Sequence, residues 1–212
     1  MKRSELNVVI IISIFFSIII GIGYLWLNND GVNIKTGFKA ISFGITCITL
    51  FWTFYINYGW KWPVLKKLFY RPNISGTWSG EIVSDWKNEA GETVKPKSIF
   101  VVIRQSFLRI NCTTYTDTFI GKSYSETFSL NKIRGIKNVV YLYRKETSYK
   151  GDNINNEGAT ELRLIESEVN RLEGKYWSNT KTNGTIKLIF IAKNHVDSYE
   201  KNQSLVSKKR FY

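Results

Sequence analysis

Two apolar runs near the N-terminus restrict this chain more than any other feature. Val8–Leu27 (VVIIISIFFSIIIGIGYLWL) holds about twenty apolar or small residues and no charge, enough to cross the hydrocarbon core of a bilayer. Short of closing a barrel, a helix is the one backbone form that satisfies its own polar groups there. A cleaved signal peptide is the competing reading, but its apolar region is normally shorter and ends in an A-x-A-like site that is missing here. Asn28–Gly37 reads as a polar turn, and Ala40–Tyr58 as a second span. Trp52, Tyr55, Tyr58, Trp60 and Trp62 crowd its far end, where aromatic rings anchor at the membrane–water boundary.

The charges beside these runs set an orientation. Lys2 and Arg3 precede the first span, and Lys61, Lys66, Lys67 and Arg71 follow the second. The connecting turn offers Lys35, with Lys39 at its edge, opposed by Asp30. Cations collect on the cytoplasmic side, so both termini are expected there. Trp60–Arg71 mixes bulky apolar residues with cations and reads either as a short amphipathic segment in the headgroup layer or as a plain stop-transfer flank. Pro72 ends any helix.

Beyond it the period changes from helical to two. In Ile74–Trp86 (ISGTWSGEIVSDW) the even positions are Ile74, Gly76, Trp78, Gly80, Ile82, Ser84 and Trp86, the odd ones mostly polar. Such alternation puts one apolar face on a long strand, and small glycines on that face permit a sharp bend. Further strands are expected at Lys97–Arg104, Phe107–Tyr115, Lys122–Leu130, Asn138–Lys145, Ala159–Glu166, Arg171–Ser178 and Thr185–Ala192. A longer loop rich in Asn and Gly, Glu146–Gly158, interrupts them. Short connections favour an eight-stranded antiparallel up-and-down barrel over Greek-key crossings. The domains are then a transmembrane helical hairpin over 1–72 (spans about 8–27 and 40–58), a β-barrel over 73–193 and a frayed basic tail over 194–212.

The chemistry of the residues points to binding and away from catalysis. The single histidine, His195, falls in the tail as a solvated bystander, and no nucleophile elbow, metalloprotease or phosphate-loop pattern occurs. Asp152 and Glu157 read as turn chemistry. No metal-ligand spacing is present, and the two cysteines, Cys47 and Cys112, make no disulfide framework. Asn-x-Ser/Thr matches at Asn73, Asn111, Asn183 and Asn202 carry no weight in a cytoplasmic domain. A net charge of +13 favours anionic partners. A small barrel holds one ligand in its interior or mouth, and a nucleotide there would need rings for its bases and cations for its phosphates. The candidates are Arg104, Tyr124, Tyr141, Tyr143, Tyr176 and Lys181, with Arg144 and Trp177 nearby. Tyr141 and Tyr143 share a face, and Tyr176 and Trp177 oppose each other, so at most one of the latter faces inward. Trp78 reads as structural.

Two N-terminal spans followed by P-x-I-S-G-x-W-x-G, with a second Trp at the strand's end, resemble a bacterial anti-phage effector family. These are the CBASS effectors with two transmembrane helices and a β-strand-rich domain. Ile103-x-Gln105-Ser106-Phe107, Ser123-x-Ser125, Gly158-x-x-x-Leu162 and Leu172-Glu173-Gly174-x-Tyr176-Trp177 with Gly184 beyond support the resemblance. It implies a cyclic oligonucleotide, expected to be a cyclic dinucleotide, made by a CD-NTase enzyme. That ligand would be the activating partner, with no cofactor and no DNA or RNA duplex. Binding in the barrel would drive homo-oligomerisation in the bacterial inner membrane, and disruption of that membrane would kill the cell. The G-x-W on the first strand also resembles lipocalins, so a membrane-tethered carrier of an apolar molecule stays open, as does a membrane adaptor with a filled barrel.

Overall fold

The computed structural model describes residues 3–28, 33–87, 91–131, 134–147, 156–167 and 169–209. Parts of the expected turns, at 29–32, 88–90 and 148–155, lie outside these residues, as do Lys2, Asp30 and Asp152. The chain divides into two units, one built from the stretch ending at Asn73 with Ser106–Leu108, the other from Ile74–Gln105 and the residues from Arg109 onward.

The first unit is a helical hairpin of α1 (Arg3–Asn28) and α2 (Ile34–Asn57). Both helices are long and apolar enough to cross a membrane, over Glu5–Leu27 and Ile34–Asn57. The second helix begins at Ile34, ahead of the apolar run that marks it in the sequence. The reason is a capping box, in which Asn33 Oδ1 accepts from the Thr36 amide at 2.9 Å and Thr36 Oγ1 accepts from the Asn33 amide at 3.0 Å. The helices meet closely: a Cβ on Gly44 would lie 2.7 Å from the Ser17 carbonyl oxygen. Trp52 Nε1 donates to Ser13 Oγ at 2.8 Å across the pair. Tyr55 of the last turn of α2 forms a buried aromatic cluster with Trp60, Phe69 and Phe107. Phe107, expected on a strand, belongs to this cluster, with the Arg71 guanidinium 4.4 Å from its ring centre.

The second unit is a closed antiparallel barrel in strict sequence order. Its strands are β1 (Gly76–Ser84), β2 (Lys97–Gln105), β3 (Ile110–Tyr115), β4 (Phe119–Asn131), β5 (Ile136–Thr147), β6 (Glu157–Ile165), β7 (Arg171–Ser178) and β8 (Asn183–Ala192). The expected fold class, two apolar helices and then an eight-stranded up-and-down barrel, is the one observed. β1 pairs with β8 to close the barrel, placing Trp78 opposite Phe190 with ring centres 5.2 Å apart and edge to face. Trp78 Nε1 donates to the Ile74 carbonyl at 2.9 Å, so its one polar atom is satisfied in a buried place. Val101, Ile103, Cys112, Val139, Leu162, Leu164, Leu172 and Leu188 pack with Trp78 in the interior.

The tail differs from expectation. It forms a helix, α3 (Tyr199–Lys209), not a frayed end. Phe100 and Val102 face outward on β2, and with Tyr115 they are buried under Tyr199 and Val206 of α3. A strand apolar on both faces needs such a cover, because exposed apolar area is costly. His195, expected as a bystander, is surface-exposed but tied down, with Nε2 3.0 Å from Ser75 Oγ and 3.1 Å from the Ile103 carbonyl oxygen. Tyr199 meets Phe100 edge to face at 5.4 Å. Tyr199→Ala is therefore expected to lower unfolding stability by about 1–2 kcal/mol, read as an earlier denaturant midpoint. An unchanged midpoint would mean that α3 lies idle on the barrel.

Candidate ligand-binding site

Side-chain alternation decides which residues the barrel interior receives. On β5 the odd positions point inward, giving Val139, Tyr141, Tyr143 and Lys145 in succession. On β2 the inward set is Lys97, Ile99, Val101 and Ile103. Each series runs from apolar at one end of the barrel to cationic at the other. At the end where β1 begins, the interior is packed. At the end where β1 finishes, it opens into a cavity of about 350 Å³, within the usual range for small-molecule sites.

Ile82, Ile99 and Ile186 lie toward the packed interior, and Tyr141, Tyr143 and Tyr176 line the wall. The Tyr141 and Tyr143 rings sit 6.3 Å apart and tilted at 60°. Gly158 and Gly184 give the aromatic rings their room: a Cβ would come within 2.5 Å of the Tyr143 hydroxyl at Gly158, and of the Tyr176 ring at Gly184. Hydroxyls from Ser84, Thr114, Thr160, Thr180 and Thr182 complete the wall, and Trp86, 51% exposed, stands at the rim. Lys95, Lys97 and Lys145 supply the charge, and no carboxylate lines the cavity among the described residues.

Burial first, then the neighbouring charge of Lys97, holds the Lys145 ammonium below the ordinary lysine value. Its Nζ lies 4.7 Å over the Phe119 ring centre. An anion between Lys97 and Lys145 would relieve their repulsion and favour the charged form. Burial also raises the Tyr141 phenol, which has Thr160 and Thr114 as hydrogen-bond neighbours. The Tyr143 phenol is pushed up to about 12, by burial and then by Tyr176. These tyrosines are neutral donors across the physiological range.

Of the residues singled out in the sequence, Tyr141, Tyr143 and Tyr176 come together in the cavity. Arg104 does not: it follows the inward Ile103 and so points out, exposed. Tyr124 sits where the β4–β5 register shifts between Ser123 and Ser125, and is 54% exposed beside Arg144 on the outer wall. Lys181 occupies the β7–β8 turn with φ 60°, exposed, while its neighbours Thr180 and Thr182 line the cavity. Arg144 pairs outside with Glu157 at 2.7 Å, and Trp177 faces out while Tyr176 faces in. The cations Lys97 and Lys145 escaped the sequence reading, although each extends an inward series by two residues. No group of three or more His, Cys, Asp or Glu able to hold a metal occurs among the described residues.

Residues 69–189, more than half of the chain, match the family described as "Cap15, cyclic dinucleotide receptor domain". The chain is 28% identical over 148 residues to the CD-NTase-associated protein 15 of Staphylococcus schleiferi, covering 70% of this chain and 77% of that one. It is 27% identical over 146 residues to the protein of the same name from Escherichia albertii, covering 66% and 72%.

Because Tyr143 ionises near 12 when folded and near 10.0 when free, the stability it contributes is whole below pH 10 and is lost as pH climbs toward about 12. Alkaline unfolding of Tyr143→Phe should lack that part of the loss. A stability profile between pH 10 and 12 identical to that of the parent chain would contradict the buried, neutral phenol.

Proposed function

The chain belongs to the Cap15 cyclic dinucleotide receptor domain family, and on that premise we propose that it is a membrane-anchored effector of CBASS anti-phage defence. In this reading the barrel takes up a cyclic oligonucleotide, a cyclic dinucleotide by preference, made by a CD-NTase enzyme during infection. Binding drives homo-oligomerisation, and the two spans then disrupt the bacterial inner membrane, with both termini on the cytoplasmic side. The chain acts as a receptor and carries out no catalysis.

One observation carries the proposal: a barrel closed at one end by packed side chains and open at the other on rings, hydroxyls and three lysines, with no carboxylate among the described lining residues. A cyclic dinucleotide brings two phosphodiester charges and two flat bases. Lys97 and Lys145 are assigned to the phosphates, where ammonium–phosphate hydrogen bonds form in a partly dry setting. Tyr141, Tyr143 and Tyr176 are assigned to the bases and ribose edges, through ring faces and neutral hydroxyls. A solid interior, as an adaptor would have, offers no such space. The lysines and hydroxyls are also superfluous for a carrier of an apolar molecule.

Ligand energy becomes membrane damage only if the assembled form binds the ligand more tightly than the single chain does. The close approach of the two helices at Gly44 gives the hairpin a compact form. Of the other small residues in the spans, Gly23 has open space around it and Ser42 is exposed.

Calorimetric titration of the full chain in detergent with a panel of cyclic di- and trinucleotides tests the reading. Saturable binding of at least one member is expected. Lys97→Gln and Lys145→Gln should each weaken it by about 10- to 100-fold, while Arg104→Gln leaves it unchanged. Silence across the panel, or loss with Arg104→Gln alone, would overturn the assignment.

A further inference from the structure

The stretch after α2 takes no part in the barrel or its cavity, yet it is built in detail. Two short 3₁₀ turns, Gly59–Lys61 and Leu65–Lys67, follow the helix. The Lys66 amide donates to the Trp62 carbonyl at 2.8 Å and ties them together. One side of this element is anchored: Trp60 and Phe69 are buried, and Leu65 and Leu68 pack against the same aromatic cluster. The other side presents Trp62 (54% exposed), Pro63 and Val64 (78% exposed).

Three lysines surround that apolar tip. Lys61 Nζ lies 5.3 Å from the Trp60 ring centre, and Lys66 Nζ 5.3 Å from that of Tyr70. Lys67 is exposed. None of the three pairs with a carboxylate among the described residues, and no Asp or Glu occurs anywhere between Gly31 and Gly80. Arg71 stands apart, since it is engaged by Glu5 at 3.3 Å and by the Phe107 carbonyl.

The position of the element within its unit names its surroundings. A helix of 24 residues is about 36 Å long, enough to cross a hydrocarbon core of about 30 Å. The residues directly after Asn57 then lie at headgroup depth. There, an exposed Trp-Pro-Val tip favours the acyl boundary, and ammonium groups without counter-ions favour lipid phosphate.

We propose that Tyr58–Lys67 is a wedge that binds an anionic phospholipid headgroup through Lys61, Lys66 and Lys67, with Trp62, Pro63 and Val64 at the acyl boundary. The inference rests on the membrane-spanning reading of the hairpin. Selectivity follows from charge. A zwitterionic headgroup carries its own cation beside the phosphate and gains little from three more, whereas an anionic one does not. Each lysine near an anionic surface contributes about fivefold in affinity, so the three together contribute roughly 100-fold.

Native mass spectrometry of the full chain, released from detergent with added phosphatidylglycerol or phosphatidylcholine, reads this directly. The parent chain should retain phosphatidylglycerol at concentrations where phosphatidylcholine is lost. Substituting Lys61→Gln, Lys66→Gln and Lys67→Gln together should remove that preference by roughly 100-fold, whereas Lys35→Gln with Lys39→Gln should not. Because the triple variant could misfold, the parent chain is also titrated with salt, which should erode the preference by screening. Equal retention of the two lipids, a preference indifferent to salt, or one abolished by the Lys35 and Lys39 changes would each overturn the proposal. Carbonate washing of reconstituted vesicles keeps the two readings apart. A chain washed out denies the spans, whereas a chain retained without lipid preference denies the wedge alone.

Discussion

An eight-stranded barrel has one interior, and side-chain alternation lets each strand give it only every second residue. That limit divides this molecule's chemistry. Trp78, Val101, Ile103, Leu162, Leu172 and Leu188 fill the interior near the start of β1, and their apolar area, removed from water, is the main source of the barrel's cohesion. Toward the other end of the barrel the inward positions become Lys97 on β2, Tyr143 and Lys145 on β5 and Tyr176 on β7. The packed half holds the wall rigid, and the open half carries the groups proposed to meet the ligand. A single-residue slip of β5 would put Arg144 inside and Tyr143 outside, so register is a condition of the proposed site as well as of stability.

On the proposed membrane-spanning reading, the hairpin obeys a different solvent. Among lipid tails, apolar area gains nothing by burial, and helices associate by close backbone approach and a few polar contacts. Gly44 against the Ser17 carbonyl and the Trp52–Ser13 hydrogen bond are contacts of that kind. Where α2 ends, the chain changes method again, to a cluster of Tyr55, Trp60, Phe69 and Phe107 with the Arg71 guanidinium against one ring. Aromatic rings suit a membrane–water boundary because they are apolar in body and polar at one edge.

Much of this was legible in the chain. The two runs, the strands and their meander follow from period and turn spacing, and alternation puts Tyr141 and Tyr143 on one face and Tyr176 opposite Trp177, though it does not say which face is inward. Lys97 and Lys145 were equally readable, as continuations of inward series, but attention to strand-end cations favoured Arg104, which falls on the wrong parity. Tyr124 could not be placed by counting, because the register shift beside it is a property of the β4–β5 pairing and not of local sequence. The tail helix left a trace in Phe100 and Val102, whose outward faces demand a cover. Which segment supplies it is a long-range matter that pattern reading does not reach. Phe107 likewise resembled the start of a strand and instead joins an aromatic cluster whose other members lie far away in sequence.

The central claim is that the open half of the barrel is where the signal enters. Hydrogen exchange of the full chain, with and without a bound cyclic dinucleotide, tests it most directly. Slowed exchange should concentrate around Ile82–Trp86, Lys95–Ile99, Tyr141–Lys145 and Tyr176–Thr182, the segments that meet at the cavity. Protection centred instead on the outer face under α3, or on the packed end around Trp78 and Ile103, would place the ligand elsewhere and contradict the account.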